Sequence, residues 1–116
     1  MQIGMYVAVA DLEKSKKFYA ALFGSSPYVE NKNFVGFKVG GGNYGLMRAD
    51  AYTNPMTRGN NAIPNFTVEN IEQSYAHVKS IGPHKIQDQI SQMGPIRIFM
   101  FMDPDGNVIE FSSLAK

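Results

Sequence analysis

The sequence predicts an α+β fold built from two tandem βαβββ modules. Three observations carry this. The chain repeats itself: "VADLEKS" (9–15) aligns with "VENIEQS" (68–74) at a constant offset, matching Val9 to Val68, Asp11 to Asn70, Leu12 to Ile71, Glu13 to Glu72 and Ser15 to Ser74. In both copies an alternating apolar stretch precedes the repeat and an amphipathic helix follows it. Glycine then closes both helices, in "LFG" (22–24) and in "SIG" (80–82).

The elements follow in order. Met5, Val7 and Val9 alternate with Gly4, Tyr6 and Ala8, as in a half-buried strand. Asp11 is placed to accept hydrogen bonds from the orphan amides of a first helical turn. Leu12, Tyr19 and Leu22, joined by Phe18 and Phe23, form the apolar helix face, and Gly24 stops it. Strands are predicted at 27–31, 34–39 and 43–48. In the second module Phe66 and Val68 form the core side of the opening strand, and Asn70 caps a helix with Gln73 at its N3 position. Ile71, Tyr75, Val78 and Ile81 form that helix's face, and Gly82-Pro83 ends it. Strands are predicted at 84–88, 96–102 and 107–112. "GGGN" and "DPDGN" make the last turns; in the second, Pro104 pre-sets φ and Gly106 supplies a positive φ. The predicted organisation is one domain, with modules at 1–48 and 62–116 and a linker at 49–61 rich in Pro, Gly and Asn.

Composition narrows the function classes. A chain of 116 residues with 44% hydrophobic and 18% charged residues can bury a real core. The net charge is +1, and its Lys and Arg residues are scattered, which leaves no footprint for nucleic acid or an anionic membrane. With no cysteine, disulfides, thiol nucleophiles and Cys-based zinc sites are excluded. No apolar run approaches the ~20 residues of a membrane span, and acidic and basic residues follow the first strand at once, unlike a secretory signal. The expectation is a cytoplasmic protein. "GGGNYG" (40–45) matches G-x-G-x-x-G, but a short strand and a proline-containing stretch follow it instead of a helix, so it reads as a hairpin.

The tandem βαβββ repeat, with "DLEKSKKFYAALFG" (11–24) early and "DPDGNVIEF" (103–111) late, resembles the vicinal-oxygen-chelate superfamily. That group includes glyoxalase I, bleomycin-resistance proteins, fosfomycin-resistance enzymes and extradiol dioxygenases. The resemblance spans essentially the whole chain. It implies an open β-cup with the helices outside, a ligand site in the cup, and assembly as a homodimer. It also implies metal-ligand positions on the first and last strand of each module, which fall on Gly4, Leu46, Ile63 and Glu110. Only Glu110 can bind a metal, whereas transition-metal sites need three or four N or O donors. His77, in mid-helix, and His84, after Pro83, do not complete the set. No cofactor is therefore expected, with a divalent metal kept open as the alternative.

Strand alternation applied to the implied cup places Tyr6, Ala8, Asn65, Thr67, Val108, Glu110 and Ser112 inside it. The same reasoning places Tyr44, Leu46 and Arg48 there from the fourth strand, and Ile98 and Met100 from the seventh. The candidate ligand-binding residues are Tyr6, Tyr44, Leu46, Arg48, Ile63, Asn65, Met100 and Glu110. Glu110 can pair with Arg48, pair with a cationic ligand flanked by Tyr6 and Tyr44, act as a general base, or have no task. Three functions stay open at this point. The leading one is a metal-free, bleomycin-resistance-like protein that sequesters a small, partly aromatic or cationic molecule. The others are a metal-dependent lyase, isomerase or dioxygenase of the glyoxalase type, and a non-catalytic structural or regulatory module.

Overall fold

A computed structural model of the chain describes residues 3–51, 59 and 62–114. Strands β1 (Gly4–Val9), β2 (Val29–Glu30), β3 (Phe34–Val39) and β4 (Gly42–Arg48) accompany helix α1 (Leu12–Phe23) in the first half. The second half holds β5 (Asn65–Thr67), α2 (Ile71–Ser80), β6 (Lys85–Ile86), β7 (Ser91–Met93), β8 (Ile96–Met102) and β9 (Val108–Leu114). The chain divides into two compact units, Met1–Arg58 and Gly59–Lys116. Of the expected linker, Ala49–Ala51 form a 3₁₀ turn, while 52–58, 60 and 61 lie outside the described residues.

In the first unit a four-stranded sheet runs β1-β4-β3-β2, with β1 parallel to β4 and the other pairs antiparallel. Helix α1 starts where Asp11 accepts from the Lys14 amide at 3.1 Å and stops at Gly24, whose φ of 66° only glycine adopts cheaply. It lays Phe18, Tyr19 and Leu22 on the sheet face that carries Val7, Val9, Val35, Phe37, Tyr44 and Leu46, all of them buried. The ring of Tyr44 lies 5.0 Å from Tyr19 and 5.5 Å from Phe23. Each such aromatic buries apolar surface worth roughly 1.5–3 kcal/mol.

The second unit repeats the plan with an addition. Its sheet runs β5-β9-β8-β6, with β5 parallel to β9, and β7 pairs with β8 as a fifth strand. The sequence reading did not contain β7. Its signal is the Gly94-Pro95 turn, with Gly94 at φ 58°, which folds Met93 back onto Ile96. The edge strands are also shorter than read: 84–88 contracts to Lys85–Ile86 and 27–31 to Val29–Glu30. Asn70 caps α2 by accepting from the Gln73 amide at 3.1 Å. Ile71 and Val78 are buried against Phe99, Phe101, Ile109 and Phe111. Tyr75 packs on Phe99 at 5.0 Å, and its hydroxyl donates to the Gln87 carbonyl at 2.6 Å.

The two hairpins that end the units differ in length. Val39 pairs with Gly42, leaving the two residues Gly40 and Gly41 in the turn. Met102 pairs with Val108, leaving residues 103–107 in a longer loop. That loop is organised by Asp103, which is completely buried. One of its carboxyl oxygens accepts from the amides of Asp105 and Asn107, both at 2.9 Å, and the other from the Asn107 side chain at 2.9 Å. Asn107 in turn accepts from the Gly59 amide at 3.1 Å, tying the start of the unit to its last turn.

Two stability predictions follow from this geometry. Asp103→Ala leaves buried amides without acceptors and should lower stability by about 2–3 kcal/mol in urea unfolding, with Asp103→Asn costing less. A Cβ on Gly42 would sit 2.6 Å from the Ile3 carbonyl oxygen, whereas one on Gly41 meets nothing within 4 Å. Gly42→Ala should therefore cost about 1–3 kcal/mol, and Gly41→Ala stay within about 0.5 kcal/mol of the parent.

Candidate functional site

Each sheet has one face covered by its helix and one free of it, and pleat alternation decides which residues reach the free face. In the second unit Asn65 is the register partner of Glu110, and Glu110 is the partner of Met100, so the three share one face. Ser112 and Ile98 are partners one step along it. The Asn65 side-chain amide donates to Glu110 Oε1 at 2.7 Å, and the Ser112 hydroxyl donates to Asn65 Oδ1 at 3.2 Å. The Glu110 main-chain amide is held by the Pro64 carbonyl at 2.9 Å. Glu110 is thus oriented by Asn65 across the parallel pair.

Beside this polar line lies a mainly apolar cavity of about 260 Å³. Ile63, Met100, Met102 and Val108 line it, with Phe101 and Ile86, and Lys85 and Gln87 stand at its border. Gln87 is a residue the sequence reading missed. Its side chain accepts from the Met100 amide at 3.1 Å and donates to Ser91 Oγ at 2.8 Å and to the Gln89 carbonyl at 2.9 Å. It pins the β6–β7 connection over β8, and nothing in local sequence distinguishes it from a surface glutamine.

The first unit departs from the sequence reading. Tyr44, Leu46 and Arg48 are register partners of Met5, Val7 and Val9, so they lie on the helix-covered face and not on the face of Tyr6. Tyr44 is buried, with its hydroxyl 3.1 Å from that of Tyr19, and Leu46 is fully buried. Arg48 directs its Nε to Asp50 at 3.0 Å, and Glu110 takes a hydrogen bond from Asn65. The error comes from turn length. Taking Leu46 as the counterpart of Glu110 requires equal hairpins, but the glycine turn is shorter than the aspartate loop and shifts the pleat by one residue.

The register identifies the true counterpart of Glu110. Tyr6 corresponds to Asn65 in the repeat; Tyr6 pairs with Gly45 as Asn65 pairs with Glu110. Tyr6 is 58% exposed and packs edge-on against Phe34 at 5.5 Å. A Cβ on Gly45 would meet Phe34 and Tyr6 within 2.7 Å, so these aromatic rings cover the spot where a side chain would project.

A metal is not supported by the donors present. Gly4, Ile63 and either Leu46 or Gly45 offer no side-chain oxygen or nitrogen, which leaves Glu110 alone. Among the described residues no group of three or more His, Asp or Glu is placed to hold a metal ion. One carboxylate already hydrogen-bonded to an amide does not make a transition-metal site. No helix among the described residues is long and apolar enough to cross a membrane.

Replacing the Asn65 donor with a carboxylate tests the coupling. In Asn65→Asp two carboxylates would face each other across β5 and β9, raising the pKa of one in the folded state. A raised carboxylate pKa makes the native state bind more protons than the unfolded chain, so stability falls as pH rises through that range. The variant should melt below the parent at pH 7, and the deficit should shrink toward pH 4 in thermal unfolding.

Comparison with known proteins agrees with this architecture. The sequence profile of the glyoxalase-like domain matches residues 3–115. A glyoxalase/bleomycin resistance protein from Albidiferax ferrireducens T118 superimposes with a TM-score of 0.77 at 28% identity, covering 97% of each chain. Another from Catenulispora acidiphila DSM 44928 gives 0.75 at 18% identity over 99% of each chain. A glyoxalase-related enzyme from Fulvimarina pelagi gives 0.81 at 17% identity, covering 97% of this chain and 88% of that one. Among curated proteins none matches the chain. With the profile spanning nearly every residue and the paired βαβββ units in place, the chain belongs to the glyoxalase-like domain family of the vicinal-oxygen-chelate superfamily.

Proposed function

We propose that this chain is a metal-free binding protein that sequesters a small, partly aromatic and cationic molecule on the helix-free face of its second unit. The observation that carries the reading is the pairing of Glu110, oriented by Asn65, with the apolar cavity lined by Ile63, Met100, Met102 and Val108. A mainly apolar cavity with a few placed polar groups is the usual form of a small-molecule site. Its volume of about 260 Å³ suits a single ring with a short substituent. The methionines supply soft, adaptable walls, which favours a range of ligand shapes over one. The Glu110 carboxylate favours a cation over an anion. The donor count at the superfamily's metal positions speaks for binding without metal chemistry.

Benzyltrimethylammonium and benzoate, which share a ring and differ in charge, separate the possibilities. The cation should raise the melting temperature in a concentration-dependent way and bind about tenfold more tightly than benzoate in calorimetry. Glu110→Gln should remove that preference while leaving the fold intact. Bound metal is measured in the same preparation by elemental analysis. Stoichiometric metal with chelator-sensitive stability, or equal affinity for both compounds, would overturn the proposal.

A further inference from the structure

The helix-free face of the second unit carries one charge besides Glu110. Strand pairing places Lys85, Met102 and Val108 in one row across β6, β8 and β9, and Met100, Glu110 and Asn65 in the next. The further rows on this face, through Ile98 and Ile96, carry only serine, threonine, methionine and aliphatic side chains. Among the described strand residues that pleat alternation assigns to this face, Lys85 and Glu110 are therefore the only charged ones.

The two charges stand on opposite sides of one apolar floor. β8 runs between β6 and β9, and its Met100 and Met102 line the cavity that Lys85 borders. With strands about 4.8 Å apart and a rise of about 3.4 Å per residue, the Lys85 and Glu110 backbones lie roughly 12 Å apart on the diagonal. Glu110 accepts its hydrogen bond from Asn65, and Lys85 has no hydrogen bond or ion pair among the described residues. A ring with a short substituent at each end spans the gap between two such side chains.

Charge complementarity decides what the ligand carries at its far end. A cation alone answers Glu110 and leaves its other end beside an ammonium. An anion alone answers Lys85 and faces a carboxylate that Asn65 holds in place. A molecule with an amine at one end, a carboxylate at the other and a ring between them answers both charges and covers the methionines. Resting on the reading of this face as a ligand site, we infer that the ligand is an aromatic amino-carboxylate, its ammonium on Glu110 and its carboxylate on Lys85. The two contacts are unequal. Lys85 is exposed on a flexible stem, so its pair contributes what a surface ion pair does, a factor of a few in affinity. Glu110 sets the preference between simple cations and anions, and Lys85 selects among cations by what they carry at the other end.

The test uses the whole chain with para-(aminomethyl)benzoate, its methyl ester and benzylamine, in calorimetry at low and high salt. The acid should bind about threefold to fivefold more tightly than the ester at low salt, and the ratio should shrink toward one at high salt. Lys85→Met should abolish the ratio, and Lys85→Arg should keep it. An acid bound no more tightly than its ester, or a ratio that survives Lys85→Met, would overturn the inference while leaving the cation reading of Glu110 in place. Benzylamine lacks the second group and separates the two readings: if neither it nor benzyltrimethylammonium binds, both fall together.

Discussion

The parallel pairing of first and last strand in each unit is the constraint on which the rest depends. β1 lies on β4 and β5 on β9, and residues in register share a face. Because side chains alternate, one residue of slip exchanges the buried set for the exposed set. The turn before the last strand sets that slip. In the second unit the turn is a loop closed around the buried Asp103, and its length delivers Glu110 to the helix-free face and Ile109 and Phe111 to the core. In the first unit the two-glycine turn delivers Tyr44 and Leu46 to the core instead. Asp103 touches no candidate site, yet the placement of Glu110 follows from the loop it holds.

The two units share a topology and differ in what their free faces carry. In the first, glycines at 36 and 45 leave room for Phe34, Tyr6 and Tyr28 to lie over the strands. Lys38 stacks on the Tyr28 ring at 4.6 Å. The spot where a side chain at Gly45 would project is occupied by the rings of Phe34 and Tyr6. In the second, the equivalent face keeps a polar line of Ser112, Asn65 and Glu110 next to methionine and isoleucine. The two units thus share a scaffold while the chemistry of their free faces differs.

Much of this was legible in the sequence, for identifiable physical reasons. Helix ends were readable because capping is local: Asp11, Asn70 and Gly24 act within a turn of where they sit. The core faces of β1, β5 and β9 were readable because alternation is strict within a strand. The placement of Tyr44, Leu46 and Arg48 was not, because parity does not carry across a turn of unknown length. Strand β7 was missed since Ser91, Gln92 and Met93 have no strand-like alternation and depend on pairing with β8. The hydrogen bonds of Gln87 and the pairing of Glu72 with Arg97 come from tertiary packing alone, which no periodicity encodes.

Glu110 carries a carboxylate, whereas Gly4, Ile63 and either Leu46 or Gly45 carry no donor side chain. An unpaired carboxylate facing an apolar cavity would be costly, but this one accepts a charge-assisted hydrogen bond from Asn65 and keeps contact with solvent. The group therefore has a hydrogen-bond partner within its own unit and still has an oxygen free of that bond. Asn65, fixed by Ser112 on its other side, cannot swing away without breaking two hydrogen bonds. The result is a rigid acceptor beside soft walls. On the proposed reading, that combination would orient a charged ligand end while tolerating variation in the apolar end.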